Sequence, residues 1–470
     1  VVDVRHVVAA VLFLVKGIIG LFGDARDFGS LEERVHQLVQ EASRMVFVWV
    51  LEELDEKLCR ERDKAALELI HLNGRTMDSS FGEFTVKRRL YRDRRTEGYR
   101  FLLDEALGWG PRQRLTPRLE AMALELGTEM PFRRAAKVLD FLAPGVSAMT
   151  VWNEVQKAGE KAAREAKERR EAVFVKGRVP RGSRQANKLG LEGDGLMVRA
   201  QRSKKRHSEV KLVVAYEGKT AGRRRSLENK RTVAGLVGGR EIWEEAAADF
   251  GAVWDLSQVD TVRVGGDGAP WIREGAEMFN GEYHLDPFHL RKHLTEALAS
   301  DGVAYTAVSE AMGRLDRAET MDHLNLAAKR ARGAARRRIL DLKGYLTANW
   351  DGLRKLPEED RLGAIEGQVR HTISRRMKRI GARWTEQGAD HMAKLLAAKS
   401  NGELLRYLEP RPAAVATDSL TEGELKLATA RPEDVEAWLQ AKVPALTGPF
   451  AGTPWIKHVL REIASTQRVA

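Results

Sequence analysis

The chain has 470 residues, and its 79 Lys and Arg against 67 Asp and Glu give a formal charge of +12. That length allows two or three domains with their own cores, and the positive balance points to an acidic partner, nucleic acid first. A single cysteine, Cys59, excludes an internal disulfide and any cysteine-rich zinc module, and fits a reducing compartment. The first apolar run, Val7 to Phe22, is shorter than the roughly 20 residues a spanning helix needs and is interrupted by Lys16. Gly23-Asp24-Ala25-Arg26 is a poor signal-cleavage site. A helix buried or touching a partner is expected there, and no membrane span. Val1 in place of a methionine suggests an alternative or misplaced start.

Residues 30–75 read as helical, with Leu31, Val35, Leu38, Val39, Ala42, Met45, Val46, Trp49 and Val50 at helical spacing. Phe84 to Tyr91 is short, β-branched, aromatic and basic, and predicts a strand with a hairpin turn near Asp93 to Gly98. Its cations Lys87, Arg88 and Arg89 are candidates for DNA contact, with an ordinary small sheet as the alternative. Residues 115–157 predict a helix-turn-helix. Thr116 and Pro117 start one helix, Phe132 to Phe141 forms another, Pro144-Gly145 turns the chain, and Ser147 caps a third. Met149, Val151, Trp152 and Val155 mark the apolar side of that third helix, and Ser147, Thr150 and Asn153 are candidate DNA contacts. Ala158 to Arg184 predicts a solvated helix running into a loose basic linker.

The character changes at Lys188. Gly190 to Val198, Val210 to Tyr216, the region of Arg231 and Thr261 to Val264 predict strands, with a helix over Ile242 to Phe250. Arg199 to His207 forms a basic hairpin tip, where Arg202, Lys204, Lys205 and Arg206 are candidate DNA contacts. From about residue 297 the chain is almost all helix and includes the very basic run Lys329 to Arg338. The segments expected are 1–110, helical with a small hairpin; 111–160, helix-turn-helix; 161–187, basic linker; 188–296, first part of a catalytic core; 297–358, helical insertion; 359–395, core continued; and 396–470, a helical C-terminal region.

Asp194 and Asp267 are each expected at a strand end and each is followed by glycine. Two such acids repel unless a cation lies between them, and hard Mg²⁺ or Mn²⁺ prefers carboxylate oxygens. Phosphodiester chemistry uses two such ions roughly 3.5–4 Å apart. Asp286 and Pro287 then start a helix that puts His289 and His293 on one face. Zinc on Asp286, His289 and His293 lacks a fourth ligand; packed histidines, or a polar contact beside an active site, remain as alternatives.

The runs EGDG at Asp194, GGDGAPWI at Asp267, HLDPFHL at Asp286 and GAIEGQVRHTISRRMKR at Glu366 resemble the ISLre-type bacterial insertion-sequence transposases, distant relatives of the Mutator-like DDE transposases. The resemblance extends over about residues 30–460. It implies an RNase H-like fold, here a mixed sheet of the α+β or α/β class flanked by helices, with an all-helical insertion between the second Asp and the Glu; the helical DNA-binding region before it is the helix-turn-helix read above. It also implies a D-x-x-H pair, matched by Asp286 and His289. Gln368 and Val369 depart from the family, which often carries Asn in an E-G-x-N run.

For the third carboxylate, Glu366, Glu386 and Asp390 compete. Leu362, Ile365, Val369, Ile373 and Met377 recur at helical spacing, so Glu366 sits on a rigid helix beside a core-facing stripe. Glu386 and Asp390 suit capping and dipole roles at a helix start, and the resemblance also favours Glu366. Arg370, one turn on, can pair with Glu366 or DNA, and Arg375, Arg376 and Lys378 extend a basic edge toward phosphate. The expectation is a transposase with Asp194, Asp267 and Glu366 holding two Mg²⁺ or Mn²⁺ ions. Its partners would be element ends and target DNA, its state a homodimer or larger assembly, and its place the bacterial cytoplasm at the nucleoid. A regulatory DNA-binding relative and a nuclease that cuts without joining are the alternatives.

Overall fold

A computed structural model describes residues 5–24, 27–111, 113–220, 226–357, 360–378 and 381–408. Most of the expected C-terminal helical region lies outside the described residues. One compact unit comprises Val1–Leu103 with Gly110–Pro410; of the other, Asp104–Trp109 is described.

Helix α1 (Arg5–Asp24) lies along α2 (Phe28–Glu61) with Gly17 so close that a Cβ there would overlap the Leu38 side chain. Among the described residues no helix is long and apolar enough to cross a membrane. The helix expected to reach residue 75 ends at Glu61. Strand β1 (Leu67–Ser79) follows instead, paired antiparallel with β2 (Gly82–Asp93) from Leu67↔Asp93 to Ser79↔Gly82. The run Leu67 to Leu72 fits either period. What decides is the ladder offered by β2, which also carries β3 (Tyr99–Phe101) across the expected hairpin. The short helix α3 (Leu102–Leu107) follows.

Helices α4 (Pro117–Glu129), α5 (Phe132–Asp140) and α6 (Ala148–Phe174) enclose a core of Leu115, Leu119, Ala135, Leu139, Val146 and Val151. Ser147 caps α6 as expected, accepting from the Thr150 amide at 3.1 Å. One expectation fails here. Met149 and Trp152 are 63% and 42% exposed, because the buried stripe of α6 runs through Val151, Val155, Ala158, Gly159 and Ala162. The helix that begins at Ser147 runs on to Phe174 before the chain leaves it, as expected of a helix entering a basic linker, and a Cβ at Gly159 would fall 2.4 Å from the His391 Cβ, so α6 packs closely on the later helix that carries His391.

Strands β4 (Lys188–Arg199), β5 (His207–Tyr216) and β8 (Arg231–Gly235) form an antiparallel meander, with the small pair β6 (Gly218–Lys219) and β7 (Leu227–Glu228) between. Helix α7 (Gly239–Gly251) leads to β9 (Thr261–Gly266), parallel to β4 on its other side; α8 (Pro270–Met278) then leads to β10 (Glu282–Leu285), parallel to β9. The sheet order is β10-β9-β4-β5-β8. One face packs Leu191, Val213 and Val264 against Trp243 and Phe250 of α7 and Ile272 of α8. The other face packs Leu196, Val198, Val210, Leu212 and Val214 against Ile365, Val369, Ile373 and Met377. Those four are positions the sequence predicted to face the core.

They lie on one helical run: α13 (Ile365–Val369), a π-turn over Arg370–Ser374, and α14 (Arg375–Met377). Helix α15 (Glu386–Ser400) packs on the same face. Between β10 and this run, α9 (Pro287–Leu298), α10 (Gly302–Arg314), α11 (Arg317–Arg330) and α12 (Gly333–Asn349) form the expected helical insertion with its own core.

Candidate active site

Across the three parallel strands Gly193, Gly266 and Leu285 stand in register. The next residue on each is an aspartate: Asp194, Asp267 and Asp286. Strands β9 and β10 stop there, while β4 runs on to Arg199, so Asp194 lies inside its strand rather than at the expected strand end. Its parallel neighbour β9 ends there while β5 stays paired as far as Arg199, so from Asp194 onward one edge of β4 is left without a strand partner, beyond the carboxyl ends of the parallel strands. Gly266 permits the close crossing, since a Cβ there would fall 2.8 Å from the Gly193 carbonyl oxygen. Gly268 takes φ +94°, and a Cβ on it would press on Tyr345 and Asn349 of α12. The Tyr345 hydroxyl donates to the Asp267 carbonyl at 2.8 Å, which ties the insertion to this loop.

Ligand atoms of Asp194, His289 and Glu366 all lie within 4.8 Å of one another. Asp267 stands outside that set, with one carboxylate oxygen accepting from the Ala269 amide at 2.9 Å. Its charge still reaches both Asp194 and His289. Burial pushes Asp194 up to about 6, and Asp267 and Glu366 add to the rise, while His289 and the Gly195 amide oppose it. His289 is held above the usual imidazole range, first by its hydrogen bond to Asp286 (Nδ1 to Oδ2, 2.9 Å) and then by the charge of Asp194. Asp286 Oδ2 also accepts from the His289 amide at 3.0 Å, so one carboxylate caps α9 and orients its histidine. The other oxygen, Oδ1, is buried with no hydrogen-bond partner. His293 is turned against the Tyr345 ring, 4.4 Å between centroids, and no zinc set with Asp286 and His289 forms among the described residues.

Glu366 comes beside Asp194 on a helix seated by a residue the sequence reading passed over. Glu192, two positions before Asp194 and on the same side of β4, is wholly buried. Its carboxylate accepts from the amides of Gly363, Ala364 and Ile365 at 2.8, 2.9 and 3.2 Å, and from the Tyr216 hydroxyl. These are the orphan donors at the start of the Glu366 helix, satisfied from the strand that carries Asp194. A second acid at i−2 in an otherwise apolar strand was the available signal. Glu386 and Asp390 lie elsewhere: Glu386 accepts from Ser203, and Asp390 accepts from the Leu236 amide and faces Lys394.

A family model described as Uncharacterised protein family (UPF0236) matches residues 24–411. The chain belongs to that family. A UPF0236 protein of Caldanaerobacter subterraneus subsp. tengcongensis is 26% identical over 408 residues, covering 83% of this chain and 84% of its own. A second protein of that organism, whose name joins eleven locus designations, is 25% identical over 425 residues, covering 87% and 86%. A Streptococcus gallolyticus relative named for the vanSb 3′ region is 26% identical over 393 residues, covering 80% and 84%.

In this UPF0236 chain the basic candidates divide. Lys87 is exposed, but Arg88 is buried with its guanidinium 3.5 Å over the Phe101 ring, and Arg89 is paired with Asp55 (2.7 Å) and Glu56 of α2. Arg376 is buried as well. It donates to the Gly127 carbonyl at 2.9 Å and lies over Phe132 and Trp384, joining α4 and α5 to the segment that leads into α15. These three arginines are structural, contrary to expectation, because a partner within the fold takes each guanidinium. Arg202, Lys204, Lys205 and Arg206 at the β4–β5 tip are exposed, as are Arg370, Arg375, Lys378 and Asn153. Ser147 and Thr150 are engaged with each other at the α6 cap.

Proposed function

We propose that this chain is a DNA transposase with an RNase H-like core, of the ISLre type its motifs resemble. The observation that carries the proposal is the meeting of Asp194 and Glu366, from opposite sides of a helical insertion, with Asp267 in electrostatic range. A three-strand meander continued by two parallel strands supports the RNase H-like assignment. One name shared by eleven loci of a single organism is how repeated copies of a gene would be labelled, which supports mobility.

The residues fit a hard divalent cation. The donors are mostly carboxylate oxygens, and Asp194 is pushed up first by its own burial and then by the charges of Asp267 and Glu366, with the His289 imidazole opposing. Asp194, Asp267 and Glu366 would hold Mg²⁺ or Mn²⁺, which supplies charge stabilisation for attacking and leaving oxygens. In the reaction proposed, water attacks a phosphodiester at the element end and releases a 3′-hydroxyl. That hydroxyl then attacks target DNA in line and displaces one of its 3′-oxygens. Asp286 fixes the His289 ring at the edge of the cluster, where the imidazole can hold a proton beside Asp194. Glu192 sets the helix that aims Glu366.

The test is incubation of the full chain with duplex DNA carrying the borders of its own coding locus, with Mg²⁺ and a target plasmid. Cut ends joined to the plasmid are expected. Cutting without joining would make the protein a nuclease, and binding without cutting would make it a regulator.

A further inference from the structure

The corner between α11 and α12 carries Lys329, Arg330, Arg332, Arg336, Arg337 and Arg338 with no acid from Leu324 to Leu340. All six are exposed, and among the described residues none has an ion-pair or hydrogen-bonded side-chain partner. This contrasts with the same bundle nearby, where Arg314 binds Glu319 at 2.6 Å, and with the arginines of β2. Six unneutralised cations within ten residues repel one another, and a polyanion relieves that repulsion. Helix α12 is anchored at its far end: Tyr345 holds the Asp267 loop, and Asn349 Oδ1 accepts from the Tyr283 hydroxyl at 3.1 Å. At about 1.5 Å per residue, Arg338 stands about 10 Å and Arg332 about 20 Å along the helix from Tyr345. Duplex DNA rises about 3.4 Å per base pair, so this span corresponds to roughly three to six base pairs.

We infer that the α11–α12 corner is a duplex-DNA backbone clamp, gripping phosphates about three to six base pairs from the phosphate at the Asp194–Asp267–Glu366 site. The distance assignment rests on the transposase proposal; the binding of a duplex does not. The helical insertion then has a task of its own, seating DNA next to the loop it braces. Each phosphate gripped releases condensed counterions, so the clamp is read in the salt dependence of binding.

The experiment compares the full chain with a variant changing all six cations to Gln, on a 40-base-pair duplex of arbitrary sequence over a KCl series. The expected result is a loss of at least about tenfold in affinity at low salt, with a log–log slope shallower by about one per phosphate contact removed. Arg336→Lys, Arg337→Lys and Arg338→Lys together should retain binding, since a phosphate clamp needs point charges. On a duplex whose end mimics the cut, protection of phosphates about three to six pairs inward should disappear in the Gln variant. Unchanged affinity and slope, with unchanged melting temperature, overturns the inference. A lost slope on a protein that never cuts DNA upholds the clamp and overturns the transposase proposal; lost slope without the loss of that protection overturns the placement of the clamp.

Discussion

The two faces of the five-stranded sheet are built for different ends. Against α7 and α8 the face is apolar and aromatic, with Trp243, Phe250 and Trp254 fully buried. Against the Glu366 helix the same strands bury Glu192 and Asp194 among Leu196, Val198 and Leu212. Glu192 is satisfied by four donors, whereas Asp194 is pushed up by burial and by neighbouring acids. Both faces bury apolar cores, but only the second also buries a strand carboxylate whose burial is not offset by donors.

The largest effect that would test this contrast is on activity. Asp194→Asn, Asp267→Asn and Glu366→Gln should each lower DNA cutting by at least about a thousandfold, since several kcal/mol of charge stabilisation is lost. DNA affinity should persist in filter binding, and Glu386→Gln should cut normally. A dead Glu386→Gln beside a normal Glu366→Gln would move the third carboxylate. On the opposite face, Trp243→Ala removes a fully buried indole that donates to the Trp271 carbonyl at 2.6 Å. Urea unfolding should show a loss of about 3–5 kcal/mol.

The sign reverses for Asp194→Asn in protein stripped of metal by EDTA. Because folding raises this carboxyl from 3.8 to about 6, the stability tied to its proton is fully present below pH about 4. It is lost as pH rises through about 6. At about 1.4 kcal/mol per pH unit, that makes the wild type weaker by about 3 kcal/mol at pH 8 than at pH 4 on account of this group. Asp194→Asn should recover it at pH 8 and gain nothing at pH 4. A variant that destabilises at pH 8 would show that Asp194 belongs with the structural residues. The smallest effect is expected for Glu192→Gln, which turns an amide N–H toward one of four donors and should cost about 1–3 kcal/mol. Its cutting rate should fall further than its DNA affinity, because the Glu366 helix loses its seat; equal losses in both would leave Glu192 a purely structural cap.

What the sequence determined by itself is local. The strand runs from Lys188 to Leu285, the Asp-Gly pairs, the Ser147 and Asp286 caps and the stripe through Ile365, Val369, Ile373 and Met377 depend on residues within a turn or two. Periodicity and capping act at that range, as in the three-residue reach of Asp286 to His289. Tertiary structure decided which acids meet and which cations are spent. Arg89 is taken by Asp55, 34 residues away; Glu192 seats Ala364 across 172; Arg376 holds Gly127 across 249. In sequence Arg88 and Lys87 are alike, and β1 reads as helix until β2 lies beside it. A guanidinium's partner, a strand's ladder and a carboxylate's donors come from contacts distant in sequence, and no local pattern encodes them.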